Sequence, residues 1–381
     1  MKVSGAWIEA RATQAVCAML TGAGYQALFV GGCVRNALLG APVGDIDIAT
    51  DARPEVVMEL ADEAGLKAVP TGIEHGTITV VSGHIGHEVT TFRKDVQTFG
   101  RHAVVAFADD LHTDARRRDF TMNALYARPD GDVVDPLGGL EDLRARRVRF
   151  IEDADQRIRE DYLRILRFFR FHAWYGDPEG GLDAEGLAAC AGNVEGLARL
   201  SRERVGAEMR KLLGAPDPVP SVAAMQAAGV LNAVLPGSDA RALALLVHLE
   251  SETNTAPDAI LRLAALGGEA VAERLRLSRA EARLLDLLRR AAAETTQAAE
   301  LGYRHGVEEG RAILLLRAAL LEMPWSARLA EDLDQGAKAR FPVTAADLMP
   351  EYSGPALGER LQALERRWIE SNFTLTRDDL L

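Results

Sequence analysis

The chain has 381 residues, 48% of them hydrophobic, and a formal charge of −12. That length exceeds one small core and predicts two or more domains, while no apolar run is long enough to span a bilayer as a helix. The opening MKVSGAWIEAR reads as neither signal nor transit peptide, and three scattered cysteines (Cys17, Cys33, Cys190) without a CxxC pair exclude a disulfide framework, so a soluble protein of the reducing cytoplasm is expected.

In chain order, YQALFVGG (25–32) is a strand candidate ending in glycines, and CVRNALLG (33–40) follows as a helix. GDIDIAT (44–50) is a second strand, and DARPEVVMELADEAG (51–65) a helix with Pro54 in its first turn. HGTITVVSGHIGHEVTTF (75–92) alternates like a hairpin, and ALYARPDGDVVDPL (124–137) reads as another around an Asp-Gly turn. The HIGH stretch at 84–87 is a weak metal pattern and reads as a turn.

After about residue 150 the strand signals fade. DADQRIREDYLRILRFFRFHAWYG (153–176) has helical spacing throughout and ends at a glycine, and ERVGAEMRKLL (203–213) is another helix. GAPDPVPS (214–221) carries three prolines in five residues and marks a break. Helical periodicity then runs to the end. The fold class is α+β, an α/β head before an all-helical body.

Within this frame the aspartates of GDIDIAT stand out, because Asp is a poor strand former. A strand rising about 3.3 Å per residue puts Asp45 and Asp47 on one face, with Ile46 and Ile48 on the other. Adjacent carboxylates repel, and a divalent cation with hard oxygen ligands relieves the conflict. Upstream, Gly31-Gly32 between strand and helix lets backbone approach a ligand and offers free N–H groups to phosphate, with Arg35 one turn in. A glycine turn followed by a strand with two metal ligands is a nucleotidyl-transfer layout. The mean charge argues against a polyanionic partner, but arginines crowd at 116–118, at 144–149, and at Arg157, Arg159, Arg164, Arg167 and Arg170. Interspersed acids leave a solvated helical surface as the plain reading of that cluster.

LFVGGCVRNALLGAPVGDIDIAT resembles the signature of the class II tRNA nucleotidyltransferase and bacterial poly(A) polymerase family, of the polymerase-β-like superfamily. DARRRDFTMNAL (114–125), DPLGGLEDL (135–143), EDYLRILRFFRF (160–171) and SRERVGAEMRKLL (201–213) resemble its further motifs in order. The resemblance implies a polymerase-β-like head at 1–145, a helical neck that recognises the base at 146–213, and a helical body and tail for tRNA at 222–381. It implies attack of a terminal ribose 3′-hydroxyl on the α-phosphate of CTP or ATP, with two Mg²⁺ ions on Asp45 and Asp47. The nucleotide would be held by Gly31, Gly32, Arg35, Arg117, Arg118, Asp119 and Asn123, and by Glu160, Asp161, Arg164, Arg167 and Arg170.

Two roles follow from the motifs. Asp119 would accept from the sugar 2′-hydroxyl. On one helix Asp161 and Arg164, at i and i+3, would project together and read the amino group that C and A share, with Glu160 orienting Arg164; without the family context they are a helix-surface salt bridge. The loop at 92–107, with Arg93, Asp95, Arg101 and His102, resembles the family's switching loop. One departure is Asn36, where the family usually has Asp, and it is left out of the metal site. The expected activity is CCA addition to the tRNA 3′ end. The alternatives are a poly(A) polymerase, a CC-only or A-only enzyme, and a non-catalytic RNA-binding relative. The oligomeric state is not legible.

Overall fold

The computed structural model describes residues 1–99 and 102–381, so Arg101 of the loop motif lies outside them. The chain forms two compact units, Met1–Pro236 and Gly237–Leu381.

The first unit opens with a seven-stranded mixed sheet. Its strands are β1 (Leu28–Val30), β2 (Ile46–Thr50), β3 (Lys67–Gly72), β4 (Thr77–Ser82), β5 (Ile85–Thr91), β8 (Tyr126–Ala127) and β9 (Val133–Val134), in the order β3-β4-β5-β2-β1-β8-β9. β6 (Arg93–Phe99) and β7 (His102–Phe107) pair separately. Only β2 and β5 run parallel, which sets Asp47 directly opposite Glu88. Both expected hairpins form. β4 and β5 join through Gly83 and His84, each with positive φ, as a two-residue hairpin requires. Near the Asp-Gly turn, Gly131 (φ 87°) lies so close to the Val3 carbonyl that a Cβ would come within 2.3 Å of its oxygen. The HIGH pattern is split by this geometry. His84 is in the turn, whereas His87 is a buried strand residue whose ring nitrogens meet Thr13 Oγ1 at 3.0 Å and the Val80 carbonyl at 3.3 Å.

The helix at Gly32–Leu39 begins where β1 ends, and Gly40 closes it in the left-handed conformation. Pro54 begins the Pro54–Glu63 helix, its fixed φ suited to the first turn. Beyond β9 the unit is helical. Helices at Ala154–Glu160, Leu163–Tyr175 and Arg202–Leu213 follow, the middle one packed against the other two. Phe120, Phe150, Phe168 and Phe171 join them to the head, with ring centroids 4.9–6.4 Å apart. Burying each such ring contributes about 2 kcal/mol, so head and neck share one core.

The single helix expected over 153–176 is broken. Asp161 is extended (φ −152°, ψ 105°), and its Oδ1 accepts from the Leu163 N–H at 3.1 Å, starting a second helix. The prolines of 214–221 do interrupt the chain, although Pro220 fits inside the first turn of the Val219–Ala227 helix.

The second unit is all helical. Arg262 and Glu250 form an ion pair with 1% and 3% side-chain exposure. The Ala298–Leu320 and Ala327–Lys338 helices touch through glycines: a Cβ on Gly336 would lie 1.7 Å from the Ala299 carbonyl oxygen. Among the described residues no helix is long and apolar enough to cross a membrane.

Candidate active site

A cavity of about 400 Å³ opens where the glycine turn, β2, the segment after Arg116 and the Leu163–Tyr175 and Arg202–Leu213 helices meet. Five guanidiniums (Arg35, Arg118, Arg164, Arg167, Arg204) and three carboxylates (Asp47, Asp119, Asp161) line it, with Gly31, Gly32, Asn123, Leu163 and Phe171. The excess of cations suits an anionic ligand in an otherwise acidic chain.

Gly31 takes φ 71°, and a Cβ there would stand 3.6 Å from Arg118 Nη1. That distance is ordinary contact, so it is the left-handed backbone, not the space, that favours glycine here. Asp47 lies within β2, but Asp45 is an exposed residue at a bend just before it, so the two are not a pair inside one regular strand. They remain electrostatic neighbours. Burial, then Glu88 on the adjacent strand and Asp45, push the Asp47 carboxyl up to about 6, against the pull of Arg118. Glu88 was missed in the sequence because its proximity comes from strand pairing; its place in an alternating strand was the only signal. Among the described residues no three His, Cys, Asp or Glu side chains form a ready-made metal cage. A site on two carboxylates still fits Mg²⁺, which takes its remaining oxygens from water and substrate phosphates, and the raised Asp47 carboxyl marks repulsion that a cation would relieve.

The arginines of RRRDF separate. Arg118 faces the cavity, stacks over the Tyr126 ring and donates to Tyr126 Oη at 3.1 Å and to buried Asp114 at 3.0 Å. Arg117 donates to the same Asp114 at 2.8 Å and does not line the cavity. Burial alone would raise the Asp114 carboxyl, but the two arginines and the Tyr126 hydroxyl hold it well below the carboxylate range. Sequence reading gave Asp114 no role, though it opens the quoted motif.

Asp119 sits at the centre of a chain of polar contacts. Its Oδ1 accepts from Phe120 N–H and Asn123 Nδ2, both at 2.9 Å, and its Oδ2 from Arg167 Nε at 2.7 Å and Nη2 at 2.5 Å. All four acceptor positions are filled, so a sugar hydroxyl reaching this carboxylate would have to displace a donor. Burial opposes its ionisation, but Arg167 and Asn123 keep it far below the usual range. Asn123 Oδ1 in turn accepts from Arg35 Nη1 at 2.6 Å. Arg35 also donates to Tyr175 Oη at 2.8 Å, lies 3.9 Å from that ring's centroid, and converges on Asn36 Oδ1 with Nε and Nη2. Asn36 therefore serves Arg35 and, through Nδ2, the Pro42 carbonyl at 2.8 Å. With these neutral partners, burial lowers the Arg35 pKa.

Asp161 and Arg164 both face the cavity, but across the helix break and with separate partners. Arg164 Nη1 donates to Glu160 Oε2 and to the Arg157 carbonyl at 2.7 Å. Asp161 Oδ2 accepts from Arg204 Nη2 at 2.6 Å. Arg170 is turned away, paired with Glu208 at 2.5 Å, and neither it, Glu160 nor Asp45 lines the cavity. Arg204, unassigned in the sequence, does.

Residues 27–149 match the "Poly A polymerase head domain" family model, and 182–241 match "Probable RNA and SrmB- binding site of polymerase A". A CCA tRNA nucleotidyltransferase 1, mitochondrial, from Danio rerio is 32% identical over 377 residues, covering 94% of this chain and 86% of that protein. The Homo sapiens protein of the same name is 45% identical over 190 residues, and the CCA-adding enzyme of Geobacillus stearothermophilus 43% over 216. Those two matches span about half of this chain (50% and 56%) and about half of each relative (44% and 52%). The crystal structure of the Bacillus stearothermophilus CCA-adding enzyme in complex with CTP superposes with a TM-score of 0.71 at 29% identity, covering 95% of this chain and 93% of that one. The Thermotoga maritima CCA-adding enzyme complexed with tRNA shares the fold, with a TM-score of 0.70 at 19% identity over 96% and 92% of the two chains.

Proposed function

Because the chain belongs to the CCA tRNA nucleotidyltransferase family, we propose that it is the enzyme that adds C, C and A to the tRNA 3′ end from CTP and ATP, without a nucleic-acid template. The observation that carries the reading is one cavity in which a glycine turn, a metal-competent aspartate and an acceptor–donor pair meet.

The turn at Gly31-Gly32 presents the first N–H groups of the Gly32–Leu39 helix to phosphate, and Arg118, facing the same space, adds positive charge. Asp45 and Asp47 would hold two Mg²⁺ ions, which supply activation of the attacking hydroxyl and stabilisation of the departing pyrophosphate. Asp161 accepts from the exocyclic amino group of C or A, and Arg164 donates to ring acceptors. U and G present a carbonyl instead and would leave both groups unsatisfied, which is a strong basis for rejection. Asp119 and Asn123 hold Arg167 and Arg35 in the cavity wall, so the protein's contribution is positioning and charge. The helical body would take tRNA by shape and phosphate contacts. Three free, buried cysteines support a reducing, cytoplasmic setting.

The test is incubation with Mg²⁺ and tRNA ending at the discriminator base, with CTP, ATP or both. Ordered addition of C, C and A is expected. Long A tails, additions that stop at CC or require a pre-made CC end, or no incorporation would each overturn the reading.

A further inference from the structure

Behind the Asp161 carboxylate stands Arg204, for which neither the motif reading nor the fold supplied a role. Its Nη2 donates to Asp161 Oδ2 at 2.6 Å, with side-chain exposures of 21% and 18%. The other oxygen, Oδ1, accepts the Leu163 N–H at 3.1 Å. Each carboxylate oxygen is thus held by one donor and keeps one acceptor position for the cavity.

The placement of Arg204 is not explained by its own helix. It is the third residue of Arg202–Leu213, where the positive end of the helix dipole disfavours a cation. Its backbone N–H is met by the Ser201 cap, so the guanidinium is free to reach across to Asp161. A second, independent feature holds the same break in the chain. The Tyr162 ring lies against Gly196 so closely that a Cβ there would come within 1.9 Å of it, and the Arg199 guanidinium covers the ring at 5.5 Å. The residue between the two neck helices is pinned on one side by packing, and the carboxylate before it by charge.

We propose that Arg204 is a positioning residue for nucleotide selection: it fixes the Asp161 carboxylate so that only a base carrying an amino group at that edge is accepted. The inference rests on Asp161 being the base-reading acceptor. A carboxylate held from behind cannot turn away from the carbonyl of U or G, so the repulsion is fully felt. Once released it can rotate, the wrong base is tolerated, and discrimination falls further than rate.

The experiment measures single-nucleotide addition to tRNA ending at the discriminator base, comparing kcat/KM for CTP and UTP in the full-length protein. In Arg204→Met the CTP/UTP preference is expected to fall about tenfold or more, on the scale of one lost recognition contact, and Arg204→Lys should recover most of it. Gly196→Ala, which displaces Tyr162 without touching a charge, should also erode the preference. Arg204→Gln carries the test if the methionine variant does not fold. Equal losses for both nucleotides would overturn the proposal. Asp161→Ala separates the two layers. If it loses the preference while Arg204→Met keeps it, the positioning role alone is wrong; if Asp161→Ala itself keeps the preference, the base-reading assignment falls and the positioning role with it.

Discussion

Asp119→Asn is the sharpest perturbation of the site wall. The side chain is 9% exposed, and every hydrogen bond it makes is to a donor: Phe120 N–H, Asn123 Nδ2 and two nitrogens of Arg167. Asparagine of the same shape supplies one acceptor oxygen, so its amide must face a donor on one side or the other. Removing one partner of a buried ion pair costs about 3–5 kcal/mol. Arg167 retains 31% exposure and can recover some hydration, which places the cost near the lower end, about 3 kcal/mol. For a unit the size of Met1–Pro236 that lowers Tm by about 6–12 °C. Scanning calorimetry can resolve the two units and read the first directly. The pH dependence adds a second test. Because the folded carboxyl lies far below its unfolded value of 3.8, its stabilisation is complete above that value and is lost only as pH falls through and below it. The penalty of Asp119→Asn should therefore be the same at pH 7 and pH 5. Arg167→Met combined with Asp119→Asn should cost less than the two singles summed, since the second change removes an already unpaired partner. A penalty below about 1 kcal/mol, or one that shrinks between pH 7 and 5, would refute the reasoning, since the pair would then be worth no more than an exposed one.

Two further outcomes follow from local geometry. Asp47, raised from 3.8 to about 6, favours the folded state when protonated and penalises it as pH rises through about 6; Glu88 is the second cause after burial. Glu88→Gln should stabilise the metal-free protein by up to about 1 kcal/mol above pH 6, with no gain below pH 5, as measured by Tm in EDTA; a gain independent of pH would contradict it. In the second unit, Gly336→Ala forces a Cβ to 1.7 Å from the Ala299 carbonyl oxygen, so the Ala298–Leu320 and Ala327–Lys338 helices must separate. A cost of about 3 kcal/mol is expected in that unit's calorimetric transition, with the first unit's Tm unchanged; an unaltered second transition would refute the close packing.

The parts of the site that sequence made legible are those whose chemistry and neighbours are local. The glycine turn, β2 and the hairpins follow from turn residues and period-2 alternation and are found in place, although β2 begins at Ile46 and leaves Asp45 outside it. What stayed hidden are contacts made by chain folding. Arg35 meets Asn123 across 88 residues, Arg167 meets Asp119 across 48, and Arg204 meets Asp161 across 43. No periodicity encodes such pairs, so Arg164, Arg167 and Arg170, which read as part of a solvated face, turn out to be largely buried partners of Glu160, Asp119 and Glu208. Asn36 shows the reverse. As a departure from a motif it raised the question of a missing charge, and the structure gives it two partners, the Arg35 guanidinium as donor and the Pro42 carbonyl as acceptor, both of which an amide satisfies at once.

The break at Asp161 is the most consequential difference from the sequence expectation, because it separates the two side chains proposed to select the nucleotide. Helical spacing runs unbroken through 153–176, and neither glycine nor proline interrupts it at 161, so periodicity predicts one helix. The competing signal was present. Asp is a strong helix-starting residue, and here it stands two positions before the Leu163–Tyr175 helix, whose first N–H it takes. On a continuous helix Asp161 and Arg164 would have neutralised each other as an i, i+3 pair, leaving little for a base to read. The break separates them: Arg164 is satisfied by Glu160 and Asp161 by Arg204, and both still face the same cavity. An acceptor and a donor that are each paired from behind, rather than with each other, can present their remaining positions to a ligand at little reorganisation cost. On the proposed base-reading role of Asp161 and Arg164, the interruption is what would turn a helix-surface salt bridge into a recognition edge, and closing it is expected to abolish base choice even with both side chains intact. Tyr162 is already helical (φ −59°, ψ −15°), so replacing it by alanine acts by emptying the packing against Gly196 that pins the extended Asp161 beside it, and a loss of base choice is expected. A variant that keeps full preference for CTP over UTP would show that the break is incidental.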